Sequence, residues 1–388
     1  MKVAIIWNYL FHYRIPLYRL LGQLPGMNLT VLHGGLAGGS GDARLGGPDD
    51  SFRSLTGTTR MFTLAGAVLY LQTGLLTHIR RGRFDVIVCE GNFGILSNLP
   101  VLIYGRCAGI PVLVWVAGWE RGRISGLAAL LRRAYIRMVS RLPRGYICYG
   151  TGARDFLGKF GVPQSRCVIV QNTIDVERIA RRRGEYATMG QEERRARGLT
   201  RKKVILAVGE LRPEKDIAVL LEAFRRLRSV RDDVALVVIG DGPERQRLEA
   251  AMLENRVPDV TFLGSIVADV GRFFSMSDIF VLPGDGGLAI NEAMAHGLPV
   301  ICSTADGTEK DLVMEGRTGH FFKRGDAGDL SARLAALLAS PERVQAMGTA
   351  ARNHVSAIAS LSGAVERLAG VLRACERREW PRSHRGEP

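Results

Sequence analysis

The chain has 388 residues, 46% hydrophobic and 23% charged, a length and mixture that suit two packed α/β cores and exclude a disordered or many-spanning chain. The formal net charge of +15 calls for an acidic partner or surface; nucleic acid is not expected, because basic and aromatic residues are not interleaved as in a nucleic-acid module. The six cysteines stand singly, with no CxxC pair and no histidine at ligand spacing, so they are expected to be reduced core thiols rather than metal ligands.

In chain order, MKVAIIWNYL enters a strand pattern at once, without a cleavable apolar leader, and no apolar run reaches the roughly 18 residues of a membrane span. A cytoplasmic protein is expected. LTVLHG continues as a second strand, and residues 34–50, GGLAGGSGDARLGGPDD, read as a mobile glycine-rich loop. DVIVCE, PVLVWVAG and GYICYG are further strands of the first half. Two basic amphipathic stretches lie among them, LLTHIRRGR (75–83) and ISGLAALLRRAYIRMVSRLPR (124–144). Such helices either pack on their own sheet or lie on anionic lipid, which leaves a peripheral position at the inner face of the cell membrane open.

Residues 181–203 are charged and nearly free of large apolar side chains, and are expected to be a linker with an exposed helix. The strand runs then resume as KVILAVGE, VALVVIGD, VTFLG, IFVLPG and PVICS. Short β-branched runs alternating with amphipathic ones predict parallel sheets covered on both faces, twice over. The expected divisions are residues 1–180, the linker 181–203, a second domain 204–370 and a tail 371–388 that crosses back to the first.

The richest segment is VLPGDGGLAINEAMAHGLPVICS, residues 281–303. It reads as a strand, a glycine turn, a helix ended near Gly297, and another strand. Glycines admit a ligand to the backbone, and the N–H groups of a helix start favour phosphate oxygens, so Gly286, Gly287 and Leu288 suit a diphosphate. Glu292, one turn further on, is placed to accept both hydroxyl protons of a ribose. An acid set there to complement the helix dipole is the plainer alternative. No Asp-x-Asp pair or carboxylate cluster suggests a divalent ion.

That segment resembles the signature of the family 4 retaining glycosyltransferases of GT-B fold, in which a glycine-containing turn precedes EAMAxGxPVI. AVGELRPEKDIAVLLEAF (207–224) resembles the family's VGRLxxxKGxxxLxxAF, VVIGDGPER (237–245) its GxGP strand end, VTFLGSI (260–266) the strand before the base-holding loop, and VIVQNTID (168–175) its VIxNGID. The resemblance implies an α/β chain of GT-B fold, two Rossmann-like doubly wound domains facing across a cleft. It implies transfer of a sugar from a UDP- or GDP-sugar to a saccharide or lipid-linked saccharide, with retention and no metal or cofactor beyond the co-substrate. Lys215 and Arg212 would then clamp the diphosphate, with Gly209 beside them, and Gly264 and Ser265 would border the base. The family's first glutamate is replaced by Gly284, leaving Asp285 and the amides of Gly286 and Gly287 to hold the sugar, and its VGRL arginine is Glu210.

WNYLFHYRIPLYRLL (7–21) resembles a variant family opening, which puts His12, Tyr13 and Arg14 at the acceptor or cleft. Ala117 and Gly118 stand where relatives carry a histidine, leaving Trp119 and Glu120 for that place. Three departures keep open a non-catalytic nucleotide-binding subunit; a nucleotide-sugar epimerase of the same two-domain shape is a separate rival, which the VGELRPEKD segment does not support. A dehydrogenase is disfavoured because no GxGxxG follows the first strand.

Overall fold

A computed structural model describes all of the chain except residues 37–48, 65–66, 119–125, 306 and 381–388. The described residues form two compact units, one of Met1–Asn172 together with the stretch from Leu361 on, the other of Thr173–Ser360.

In the first unit the strands are β1 (Lys2–Trp7), β2 (Asn28–Leu36), β3 (Arg53–Leu64), β4 (Ala67–Thr73), β5 (Val86–Glu90), β6 (Val112–Val116), β7 (Gly145–Cys148) and β8 (Cys167–Ile169). They lie in the order β4-β3-β2-β1-β5-β6-β7-β8, parallel except where β3 meets β4. β1 shows why both faces are covered. Val3, Ile5 and Trp7 join a core with helices Ile15–Gly22 and Leu361–Glu376, while Ala4 and Ile6 join a second core on the other face. A strand buried on both sides must be apolar at every position, and KVAIIW is, after its first residue.

The second unit contains β9 (Lys203–Val208), β10 (Val234–Ile239), β11 (Val260–Phe262), β12 (Ile279–Leu282), β13 (Val300–Ser303) and β14 (Gly319–Phe322). Their order is β11-β10-β9-β12-β13-β14, every pair parallel, the Rossmann arrangement. Val204 and Leu206 face one core, Ile205 and Ala207 the other.

All ten strand runs read from the sequence are strands here, and β3, β4, β8 and β14 are additional. Several expectations differ from the structure. Residues 181–203, expected as a linker with an exposed helix, lie inside the second unit, which begins at Thr173 and not after residue 180; the helix is there as Arg183–Ala196, preceded by a second one, Val176–Arg181. Their scarcity of apolar residues is offset by docking through polar contacts: Arg194 donates to the Met276 carbonyl at 2.5 Å and pairs with Asp278, and Arg272 pairs with Glu193 at 3.0 Å. The return to the first unit begins at Leu361, ten residues before the expected tail, because Leu368 and Leu372 of that helix are core residues. Of the loop expected at 34–50, Gly34 to Leu36 close β2 and Asp49 pairs with Arg19 at 2.7 Å, while 37–48 lie outside the described residues.

Five cysteines are buried, but Cys107 is exposed on its helix, not a core thiol. Pro341–Glu376 is apolar and long enough to cross a membrane by composition. It is two helices, Pro341–Ile358 and Leu361–Glu376, with Ala351, Val355, Leu368 and Leu372 in the cores of the units.

Candidate functional site

β9 and β12 are neighbours, yet the chain winds from β9 toward β11 and from β12 toward β14. Their carboxyl ends therefore diverge at a topological switch point, where open α/β sheets bind ligands. Residues 209–216 leave β9 here, and residues 283–288 leave β12.

The two segments are tied together by backbone. The Asp285 N–H donates to the Glu214 carbonyl at 2.9 Å, and the Lys215 ammonium donates to the Asp285 and Gly286 carbonyls at 2.6 and 2.8 Å. Gly209 adjoins this lysine; a Cβ there would stand 3.8 Å from Lys215 Cε. At Gly284 a Cβ would come within 2.3 Å of the Glu214 carbonyl oxygen, a contact with rigid backbone. That approach explains the missing first glutamate: this turn leaves no room for a side chain at 284.

Bare backbone continues along the sheet edge. A Cβ on Gly240 would lie 1.8 Å from the Gly209 oxygen, and the Gly240 N–H donates to the Gly264 carbonyl at 2.8 Å. The ends of β9 and β10 thus meet backbone to backbone, and the Arg245 guanidinium lies against Gly264, where a Cβ would come within 2.9 Å of it. Ser265, next to Gly264, is exposed.

Electrostatics at the turn differ from the expected pair of Lys215 and Arg212. Arg212 is held by Glu210 at 2.8 Å, whereas Arg324, from the loop after β14, reaches Asp216 at 2.8 Å and Asp285 at 3.0 Å. Sequence reading missed Arg324, since no spacing links it to the glycine turn. It arrives because helix Ala327–Leu338 packs on helix Ile217–Arg228 and returns the loop over Asp216. Asp216 has φ 51°, a left-handed conformation that aspartate tolerates better than most side chains, and it is where the resembled motif has glycine.

Helix Ala289–Ala295 begins at the end of the glycine turn and stops at Gly297, whose φ is 83°. It buries Ile290, Ala293 and Met294, leaving Glu292 half-buried beside the turn. Burial pushes the Glu292 carboxyl up to about 7, and the Arg178 charge acts in the opposite direction. A desolvated carboxylate gains most from donors such as a sugar diol. His296, a turn later, stacks on Phe274 with ring centroids 5.5 Å apart and meets the Ser275 hydroxyl at 3.0 Å. Its burial first, and Arg183 second, lower its pKa to about 4, so it is neutral at pH 7.

The second unit thus brings together Lys215, Asp285, Gly286, Gly287, Leu288 and Glu292, with Gly209 adjoining and Gly264 and Ser265 two strands away. His12, Tyr13 and Arg14 belong to the first unit, in a short 3-10 turn after β1. His12 is exposed and Tyr13 stacks on Phe11 at 5.5 Å. Arg14 is 4% exposed, its guanidinium 4.2 Å from the Trp7 ring centroid and 5.0 Å from that of Trp115, and it donates to the Tyr149 hydroxyl. Nearby, burial raises the Glu90 carboxyl, which the Asn8 N–H and the Arg14 charge partly oppose. Trp119 and Glu120 lie outside the described residues.

Comparison with known proteins bears on the second unit most directly. Residues 190–354 match the model of the family described as Glycosyl transferases group 1. The chain is 33% identical over 168 residues to a sulfoquinovosyl transferase of Arabidopsis thaliana, covering 42% of this chain and 31% of that protein. It is 35% identical over 144 residues to a phosphatidyl-myo-inositol mannosyltransferase of Mycobacterium leprae, covering 35% and 37%. The chain therefore spans about a third of the length of these curated relatives in its matches. The Anabaena protein HepE, solved in complex with UDP, superposes with a TM-score of 0.75 at 14% identity over 96% of this chain and 100% of that one. Residues 190–354 thus resemble a Glycosyl transferases group 1 domain, and the chain has a GT-B fold.

Proposed function

We propose that the protein is a retaining glycosyltransferase that moves a hexosyl group from a UDP- or GDP-sugar to a hydroxyl of a saccharide or lipid-linked saccharide, without a metal or other cofactor. The observation that carries this reading is the Lys215 ammonium, 2.6 and 2.8 Å from two carbonyls of the glycine turn, with the desolvated Glu292 one helical turn away. On this reading the diphosphate lies along residues 286–288 and draws Lys215 from the carbonyls. Glu292 accepts the ribose hydroxyls and Gly264 and Ser265 border the base. Asp285, oriented by Arg324 at 3.0 Å, faces the sugar. Lys215, together with the helix start, stabilises charge on the departing diphosphate as the glycosidic bond breaks. The names of the curated relatives, a mannosyl and a sulfoquinovosyl transferase, support the reaction class. The UDP bound by HepE supports the donor class. The acceptor is assigned to the first unit, with exposed His12 and neighbouring Tyr13 as its contacts and Arg14 as their buried support.

The test is turnover. UDP- and GDP-sugars are incubated with a panel of saccharide acceptors, and nucleotide release and product mass are followed for the wild type and Glu292→Gln. Nucleotide-sugar binding with no transfer or hydrolysis anywhere in the panel overturns the enzyme reading and favours a nucleotide-binding subunit. One observation favours that second reading: Glu210 at 2.8 Å neutralises Arg212, the cation nearest Lys215 in sequence.

A further inference from the structure

In the first unit, four helices share the core on one face of the sheet: Thr151–Gly158, which joins it through Ala153 and Leu157 and carries the exposed Asp155, and three others, Leu75–Gly82, Asn98–Ala108 and Gly126–Val139, which join it through Ile79, Leu102 and Val139. None of the three contains an aspartate or glutamate, and they carry two, one and three arginines respectively. Arg80, Arg81, Arg106, Arg133 and Arg137 are exposed. Helices serving only their own sheet have no physical reason to exclude acids from their outer surface.

Helix Gly126–Val139 is apolar on two sides. Ile136 and Val139, 1% and 5% exposed, face the sheet. Leu130, Leu131 and Met138 are 64%, 62% and 55% exposed, and at about 100° per residue they fall within one quadrant or so of the helix, away from Ile136 and Val139. Arg133 and Arg137 border this outer stripe, and Ile103, 49% exposed, lies on another helix of the same layer. Singly exposed leucines are ordinary, but a stripe of large apolar side chains bordered by arginines on an acid-free helix has the composition of an interfacial helix.

We propose that this layer docks on a bilayer containing anionic lipid, with Leu130, Leu131 and Met138 entering the headgroup boundary and Arg133 and Arg137 against lipid phosphates. Charge complementarity selects this occupant over a second copy of the chain, whose matching face would bring arginines against arginines. The proposal does not depend on the transfer reaction.

The full chain is sedimented with vesicles of phosphatidylcholine alone and of phosphatidylcholine with phosphatidylglycerol, at low and high salt. The wild type is expected to pellet with the anionic vesicles, and less so as salt rises. Arg133→Gln/Arg137→Gln should weaken partitioning about 25-fold, roughly fivefold for each arginine near the surface. Leu130→Ser/Leu131→Ser/Met138→Ser should also release the protein, and circular dichroism and the unfolding temperature show that both variants stay folded. Failure of the wild type to pellet with anionic vesicles overturns the proposal, as does undiminished pelleting of both variants. A concentration-dependent dimer, abolished by the serine variant and formed without vesicle binding, would instead assign the stripe to a second copy.

Discussion

Lowering the pH from 8 to 6 should weaken nucleotide-sugar affinity about tenfold, because the group proposed to hold the ribose titrates in that interval. Glu292 is pushed up to about 7 by burial, with Arg178 only partly opposing it. Two hydroxyl donors bind a carboxylate, not a carboxylic acid, so affinity follows the ionised fraction, roughly 0.9 at pH 8 and 0.1 at pH 6 for a group of this pKa. The sign for stability is opposite. In the unfolded chain Glu292 ionises near 4.5, so its ionisation is disfavoured in the fold, a penalty absent below 4.5 that grows as pH rises to 7. A rise from 4.5 to about 7, at about 1.4 kcal/mol for each tenfold change in ionisation, bounds that penalty at about 3.5 kcal/mol. The free protein should gain stability from this group on going from pH 8 to 5, while bound nucleotide sugar offsets the gain. Calorimetric titration with a UDP-sugar or GDP-sugar, whose diphosphate has no proton to lose near pH 7, reports the affinity. Repetition in buffers of different ionisation enthalpy reports the proton released on binding. A pH-independent affinity, or the same pH dependence in Glu292→Gln, refutes the reasoning.

Lys215→Ala is expected to cut turnover by roughly 100-fold or more, if the ammonium stabilises departing charge; a variant with wild-type kcat removes Lys215 from that role. Gly284→Ala forces a methyl to within 2.3 Å of the Glu214 carbonyl, and the displaced turn should cost about 1–3 kcal/mol, read as a lowered urea midpoint, together with weaker nucleotide binding. Arg324→Ala frees Asp216 and Asp285; donor KM should rise several-fold while the unfolding temperature moves little, since the arginine is partly exposed and its pairs are screened. Arg14→Met should destabilise the first unit by about 2 kcal/mol or more through loss of its desolvated contacts with Trp7 and Trp115, and an unchanged melting curve would contradict a buried structural role.

Ten strands were legible as runs because most are buried and rich in β-branched residues, β11 being only partly buried. β3 was not. RSLTGTTRMFTL is polar and largely exposed, and its pairing with β2 and β4, not burial, makes it a strand. Residues 181–203 looked like a linker because arginine ion pairs and a few buried groups such as Tyr186 hold helix Arg183–Ala196 to the second unit. Hydrophobic periodicity carries no record of such contacts. The glycine turn and Glu292 were readable because a strand, a turn and a helix start follow one another within a few residues, whereas Lys215 was singled out only by the resemblance of its segment to VGRLxxxKG.

The amino-acid order alone therefore determined the alternating architecture and the local chemistry of the turn after β12, both set by periodicities of two and 3.6 residues and by glycine's missing side chain. Tertiary structure decided which groups from distant segments meet there. Arg324 reaches Asp285 only because one helix packs on another, and Gly284 is confined only because residues 213–216 close over it. Glu292 titrates near 7 only because its surroundings remove it from water. Desolvation and long-range contact are properties of the folded volume, and no spacing along the chain encodes them.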